Sequence, residues 1–401
     1  MRILLVTETL TAGGAETFVI RLANVLALDH DVTIAVLHGE MVNPAIAAKA
    51  AVGVHVERLR LPAKRWLLKV DSALRRMGLD WSINRLAQHR WLAAIVERIA
   101  PDVVHSHLLK ADRVASDIHA LCPAMRHVIT LHGDYAPFLH GQSDPQMLGL
   151  ERRMAGIVAG ADAIAAICRE QVEFVAGQFP QTTAKTSLIY NGYAPWAGER
   201  KPAVAKSGSP LVFGMVSRGV ERKGWAKAIA AFATLPPGAA ELVLVGDGSY
   251  LDSLRRGPAP DGVRFAGFSP DPVEWIDGFD VGLLPTQFPH ESLPTVVMEY
   301  LFCGKPVIAT NVGEIGEMLR GPTGELAGTL LDFDGDQIST DQLATAMQAY
   351  LDDPALRRRH AALAPAAFAK FDMGTCAAAY VQLYAEVAGD TQSNSSISAS
   401  H

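Results

Sequence analysis

The chain has 401 residues, 49% of them hydrophobic, and a formal net charge of −6. That length suits two or three domains with substantial cores, and the acidic balance argues against a dedicated nucleic-acid binder. Four scattered cysteines, Cys122, Cys168, Cys303 and Cys376, contain no C-x-x-C pair, which argues against a zinc ribbon or a disulfide framework and fits a reducing cytosol. The opening MRILLVTETL is too short in its apolar run for a signal peptide and reads as a first strand. No stretch approaches ~20 uninterrupted apolar residues, so no transmembrane helix is expected.

In chain order, residues 2–7 (RILLVT) form a buried strand, and the loop ETLTAGGAE follows. A helix runs from about Glu16 to Leu28, and residues 32–37 (VTIAVL) make the next strand. This alternation begins a parallel α/β sheet. Gly13 and Gly14 either let a ligand approach the backbone at the helix N-terminus or serve only as the turn into the helix. Their spacing is not the dinucleotide fingerprint G-x-G-x-x-G. From Arg58 to Arg98 the chain is locally basic, with Arg60, Lys64, Arg65, Lys69, Arg75, Arg76, Arg85 and Arg90 between them opposed only by Asp71, Asp80 and Glu97. Trp66, Leu67, Val70, Leu74 and Met77 recur there at helical spacing, with Trp81 and Trp91 nearby. Such a helix can lie on an anionic lipid surface. It can also pack its apolar stripe on the sheet and solvate its basic face, and the two readings are compatible.

Residues 102–106 (DVVHS) and 126–131 (RHVITL) make two more strands, with His105 and His107 at the end of one and His132 after the other. In doubly wound sheets, ligands sit outside the carboxyl ends of strands, where His107 and His132 fall. Three histidines could suggest a metal, but no carboxylate spacing supports one, and plain strand-end polarity accounts for His105 and His107. Residues 163–167 and 185–190 close the first half at Asn191-Gly192. The segment 193–209, poor in apolar periodicity and rich in Pro, Gly, Ala and Lys, is a linker.

The alternation then restarts. A strand over 211–216 leads to Arg218 and, five residues later, Lys223, just before a helix. Two cations beside helix-end amides make a sensible diphosphate clamp, the alternative being a surface turn with incidental charges. Strands follow at 241–245, ending in Gly246-Asp247-Gly248, and at 262–266, ending in Gly267-Phe268. The stretch from Asp280 to Glu317 reads DVGLLPTQFPHESLPTVVMEYLFCGKPVIATNVGEIGE and carries Glu291 and Glu299 eight residues apart. With Ser292 as N-cap and Pro294 in the first turn, a helix is expected to about Phe302, stopping at Gly304. Glu291 then sits at a strand's C-terminal end, at the mouth of a helix N-terminus that favours an anion. A carboxylate there repels phosphate and grips neighbouring hydroxyls, as a nucleotide sugar would present them. A strand ends at 329–331, helices fill 340–388 with a restart at Pro354, and the polar tail 389–401 is expected to be disordered.

The 280–317 stretch resembles the Glu-x7-Glu signature of retaining GT-B glycosyltransferases of family 4, as do the downstream G-K-P-V-I-A-T and G-E-I-G-E segments. The resemblance covers nearly the whole chain and is weakest over 40–100. It implies an α/β GT-B fold of two Rossmann-like doubly wound domains facing an interdomain cleft. These would be residues 1–192 on the acceptor side and 210–372 on the nucleotide-sugar side, with a C-terminal helix at 375–388 packing back on the first. The implied reaction moves a sugar from a UDP- or GDP-linked donor to an acceptor hydroxyl, with no metal and no cofactor.

Carried onto these positions, the resemblance makes Arg218 and Lys223 the diphosphate clamp, aided by amides near Gly14 and at Ser292, Leu293, Pro294 and Thr295. Glu291 would hold donor-sugar hydroxyls, Glu299 the ribose diol, and backbone near Gly246 and Gly267 the base. His132 would contact the transferred sugar or the acceptor, with Gly13 and His107 on the acceptor side. Ser292 stands where many members carry glycine, which leaves the donor sugar open. The expected acceptor is a glycan or lipid-linked glycan of surface polysaccharide or glycolipid synthesis, met in the cytoplasm at the inner membrane face through 58–98. A soluble acceptor, a nucleotide-sugar epimerase and a catalytically silent scaffold are the alternatives.

Overall fold

The computed structural model of the chain describes every residue except 12, 62–68, 73–81, 134, 136–147, 197–209, 270, 290 and 396–401. Two compact units divide it: Met1–Trp196 together with Met373–His401, and Ala197–Asp372.

The first unit is built on β1 (Arg2–Thr7), β2 (Asp31–Val36), β3 (Val54–Arg58), β4 (Val103–His107), β5 (Arg126–Leu131), β6 (Ala163–Ala166) and β7 (Thr186–Leu188). They pair in parallel in the order β3-β2-β1-β4-β5-β6-β7. The reason lies in β1 itself. Successive side chains point to opposite faces, and both sets are apolar. Ile3 and Leu5 join Phe18, Ile20 and Ile34 on one face, and Leu4 and Val6 join Leu92, Val104 and Val114 on the other. A strand buried on both faces belongs in the middle of a sheet covered by helices on each side.

The helix Met373–Ser395 completes the first of those cores. Met373, Cys376, Ala377, Tyr380, Leu383, Tyr384 and Val387, spaced by three and four, all pack into the cluster with Ile3 and Phe18. The helix starts two residues before the expected 375. It also runs to Ser395, past the expected end at 388. Gly192 lies against its first turn, where a Cβ would come within 2.7 Å of Met373 Cα.

The second unit repeats the scheme with β8 (Leu211–Val216), β9 (Ala240–Val245), β10 (Val263–Gly267), β11 (Val281–Leu284), β12 (Val307–Thr310) and β13 (Gly328–Leu331), paired in parallel as β10-β9-β8-β11-β12-β13. Leu211, Phe213 and Met215 alternate into a core with Trp225, Leu242, Leu283 and Tyr350. In both sheets the order reverses beside the first strand, at β1/β4 and at β8/β11. Those are the switch points outside which ligands bind in open α/β sheets.

Several expected boundaries shift by a residue or two. The helix expected from Glu16 to Leu28 is Gly14–Leu26. β3 has no counterpart in the sequence reading, because VHVER is a short, half-polar edge strand. The helical spacing of Trp66, Leu67, Leu74 and Met77 lies outside the described residues, as do Lys64, Arg65, Arg75, Arg76 and Trp81. Within the basic segment, Asp71 is buried and accepts from Ser82 Oγ at 2.5 Å and from the Ile83 N–H at 2.8 Å, fixing the start of the helix Ile83–Ile99. Among the described residues no helix is long and apolar enough to cross a membrane.

Candidate active site

In the second unit the loops after β8, β9 and β10 are laced together by backbone. The Gly219 N–H donates to the Asp247 carbonyl at 2.6 Å, and the Gly246 N–H donates to the Gly267 carbonyl at 2.8 Å. Gly246 has φ +155, and a Cβ on it would overlap the Ser217 carbonyl. Only glycine lets these two loops meet so closely. Beneath them Trp225 is wholly buried, and its Nε1–H donates to the Arg218 carbonyl at 3.0 Å. The Arg218 backbone is thus held while its side chain is exposed.

Lys223 behaves differently. It closes a short 3-10 turn, Glu221–Lys223, and is only 8% exposed. The next residue, Gly224, has φ +83, and a Cβ there would overlap the Pro285 carbonyl. The Arg222 carbonyl accepts from the Gln287 N–H at 2.7 Å. This close approach carries Lys223 beside the loop after β11. Its ammonium pairs with Glu291 Oε1 and lies 5.0 Å over the Phe288 ring. Thr286 Oγ, fully buried, donates to the same Oε1 at 2.8 Å. On its other side Glu291 is fixed by its backbone: its carbonyl accepts from the Glu314 N–H at 3.2 Å and faces Gly313, where φ is +53 and a Cβ would overlap it.

The helix after Glu291 spans Thr295–Phe302, with Pro294 as the N-cap residue at φ −64 and ψ 114 and no side-chain cap. This corrects the expected N-cap at Ser292. Leu293 precedes a proline and is driven away from helical backbone, so the helix starts later. Leu293 is buried, while Ser292 and Thr295 are half-buried. The helix ends as expected, with Gly304 at φ +66 just past it. Glu299 is buried on this helix at 8% exposure. Its neighbour Tyr300 is a packing residue: the hydroxyl accepts from the Val216 N–H at 2.9 Å, and the ring covers Gly282. Gly267 sits at φ +81 after a bulge in β10 and carries the exposed Phe268. Lys223, Glu291 and the unforeseen Thr286 are brought into contact, whereas the Arg218 side chain touches none of them.

In the first unit the expected residues again lie at strand ends. Gly13 is the N-cap of the helix Gly14–Leu26, and the space its missing side chain leaves is filled by the Glu16 carboxylate. That carboxylate accepts from Thr9 Oγ at 2.8 Å and from Thr11 Oγ at 2.9 Å. A carboxylate already beside Gly14 disfavours a phosphate at this helix start. His107 Nδ1 meets His132 Nε2 at 3.0 Å, with Phe18 against both rings. Burial holds both imidazoles in the neutral form, His132 with a pKa of about 3. They can exchange hydrogen bonds with hydroxyls but do not act as cations. Leu108 follows His107 at φ +75, outside the usual range for a side-chain-bearing residue. The helix it starts takes its cap from Glu8, whose Oε1 accepts the Lys110 N–H at 3.1 Å. Among the described residues no group of three His, Cys, Asp or Glu is placed to hold a metal ion.

Residues 12–195 match the family Glycosyltransferase Family 4, and residues 210–353 match Glycosyl transferases group 1. The chain belongs to glycosyltransferase family 4. It is a GT-B glycosyltransferase, an enzyme class that moves a sugar from a nucleoside-diphosphate donor. It is 27% identical over 340 residues to a glycogen synthase of Mycobacterium tuberculosis, across 80% of this chain and 75% of that one. To the lipopolysaccharide core biosynthesis glycosyltransferase LpsD of Rhizobium meliloti it is 27% identical over 374 residues, across 87% and 88%. Its fold is that of Anabaena HepE, solved in complex with UDP, at TM-score 0.69 and 20% identity over 98% and 100% of the two chains. It is also that of a sucrose-phosphate synthase from Thermosynechococcus elongatus, at TM-score 0.72 and 18% identity over 96% and 99%.

For this glycosyltransferase, sequence reasoning picked out Lys223 and Glu291 but not their contact. It missed Thr286 and Gly313, which act on Glu291 from either side. The Pro285-Thr286 pair closing β11 was the available signal, since a threonine just past a buried strand end has little to do unless something receives its hydroxyl.

Proposed function

We propose that this enzyme transfers a sugar, with retention of configuration, from a nucleoside-diphosphate sugar to a hydroxyl of a lipid-linked or membrane-proximal glycan. The observation that carries the donor half is the buried Lys223–Glu291 pair at the C-terminal edge of the second sheet. Leaving-group departure puts negative charge on the diphosphate. Arg218, Lys223 and the amides at the start of Thr295–Phe302 stabilise that charge as it develops. Lys223 reaches the diphosphate by exchanging Glu291 for it, and the released carboxylate accepts donor-sugar hydroxyls. Glu299 holds the ribose diol, and loop backbone near Gly246 and Gly267 takes the base. His132 and His107, as neutral imidazoles, hydrogen-bond sugar or acceptor hydroxyls. The leaving phosphate takes the acceptor proton on the same face, so no covalent carboxylate nucleophile is needed.

A uracil nucleotide is the first donor to test, because HepE is seen with UDP. Calorimetric titration of UDP and GDP without added metal tests the clamp. Binding of one that is lost in Arg218→Ala supports it, and failure of both to bind would sink the donor site.

For the acceptor, LpsD supports a lipid-linked core glycan. So does an open groove of about 440 Å³ lined by Ile83, Leu86, Ala87, Arg90 and Trp91 within the basic segment. Flotation with liposomes of differing anionic lipid content reads this directly. The glycogen synthase relative favours a second reading, a soluble glucan acceptor. Indifference to anionic lipid together with transfer to glucan would select it.

A further inference from the structure

We infer that Thr286 is a positioning residue for donor-sugar recognition, setting the orientation of the Glu291 carboxylate. The inference rests on the donor-site reading above and concerns a residue that no other part of that reading uses.

Thr286 follows Pro285 at the end of β11 and is fully buried. Its hydroxyl has one proton. The acceptors within reach are Glu291 Oε1 at 2.8 Å and the Arg222 carbonyl at 3.4 Å, so the proton goes to the carboxylate. The Oγ lone pair in turn accepts from the Phe288 N–H at 3.3 Å. The hydroxyl is therefore oriented from both sides, by a backbone donor behind it and a charged acceptor ahead.

Both contacts to Glu291, from Lys223 and from Thr286, go to Oε1. Among the described residues neither reaches Oε2, which is the oxygen left for a ligand. The two contacts differ in permanence. Lys223 is drawn off by the diphosphate, whereas Thr286 sits on a strand end and cannot follow. In the donor complex, Thr286 alone holds Oε1 and keeps Oε2 turned toward the sugar. A buried hydrogen bond to an ionised acceptor is worth about 1.5–3 kcal/mol, roughly a tenfold to hundredfold effect.

The experiment compares wild type, Thr286→Val, Thr286→Ser and Glu291→Gln. It measures the affinity gain from nucleotide to nucleotide sugar with the pairs UDP/UDP-glucose and GDP/GDP-mannose, using the pair that wild type binds more tightly. Thr286→Val keeps the branched shape and loses the donor. It is expected to lose about tenfold or more of the sugar-dependent gain while binding the free nucleotide within about twofold of wild type. Thr286→Ser restores the gain, and Thr286→Val adds nothing in a Glu291→Gln background. An undiminished gain in Thr286→Val, with Glu291→Gln impaired, overturns the role of Thr286 alone. An undiminished gain in Glu291→Gln overturns the assignment of Glu291 itself. Equal loss of free-nucleotide and nucleotide-sugar affinity in Thr286→Val reduces Thr286 to a packing residue and also overturns the inference.

Discussion

The hydroxyl of Tyr384 lies 2.6 Å from His105 Nδ1 inside the first unit. On the far side of the ring, Nε2 lies 2.7 Å from Thr130 Oγ, which is 2.9 Å from the Tyr380 hydroxyl. A neutral imidazole has one donor and one acceptor nitrogen, so the chain Tyr384–His105–Thr130–Tyr380 is satisfied along one direction of donation. Burial keeps His105 neutral and both tyrosines protonated. These contacts tie the helix Met373–Ser395 to β4 and β5 in a single register, which apolar packing alone specifies less sharply.

Tyr384→Phe should therefore destabilise the enzyme by about 1–3 kcal/mol, because His105 Nδ1 is left buried without a partner. Thermal unfolding of the variant beside Leu383→Ala separates the polar from the apolar contribution. An unchanged midpoint in Tyr384→Phe would show that the hydroxyl contributes nothing.

The buried histidines set a pH dependence. His105, His107, His127 and His132 are all held below their ordinary pKa by burial, His127 and His132 to about 3. Each stays neutral in the fold while the unfolded chain protonates near pH 6.5. Stability is then full above about pH 6.5 and falls as the pH drops toward the folded values, by about 2 kcal/mol at pH 5 for each of His127 and His132. Asp112 and Glu8, raised by burial, run the other way over this range, and the four histidines outnumber them. Urea midpoints at pH 7.5 and pH 5 should show a clear drop at the lower pH, and equal midpoints would mean that these rings protonate within the fold.

Lys223→Met should lower stability by about 3 kcal/mol, since it strands a buried carboxylate, and should abolish transfer. Adding Glu291→Gln removes the uncompensated charge. The double variant should regain most of the lost stability and none of the activity. A double variant as unstable as the single one would show that the pair does not couple.

Gly313→Ala places a methyl group against the Glu291 carbonyl at a positive φ. The carboxylate is displaced by a fraction of an ångström to an ångström, and turnover should fall roughly tenfold to a hundredfold. Circular dichroism should stay that of the wild type. Full activity in a folded Gly313→Ala would mean that the position of Glu291 does not limit the reaction.

What was legible in the sequence followed from local order. β1 and β8 have the expected bounds because each carries an apolar run closed by a polar residue, and β5, RHVITL, has them because its β-branched and apolar residues end at the polar His132-Gly133. The expected placement of Glu291, in the loop between a strand and a helix start, agrees with its position between β11 and Thr295–Phe302. The rest was hidden because it depends on partners far away in sequence. Lys223 meets a carboxylate 68 residues on, and His105 meets a phenol 279 residues on. The Ser292 N-cap failed because Pro294 governs the backbone of the residue before it, a restriction that outweighs cap preference.

The helix Met373–Ser395 also has a consequence for the order of biosynthesis. The face of β1 that bears Ile3 and Leu5 has no complete cover until residues 373–387 have left the ribosome, although β1 is made first. The unit Ala197–Asp372 is continuous in the chain and carries its whole core with it. It can mature while the earlier-made unit still waits with an open apolar face. A chain truncated after Asp372 and released from the ribosome should then resist protease over 211–368 and be cut within 1–196, and the opposite pattern would refute this sequence of events.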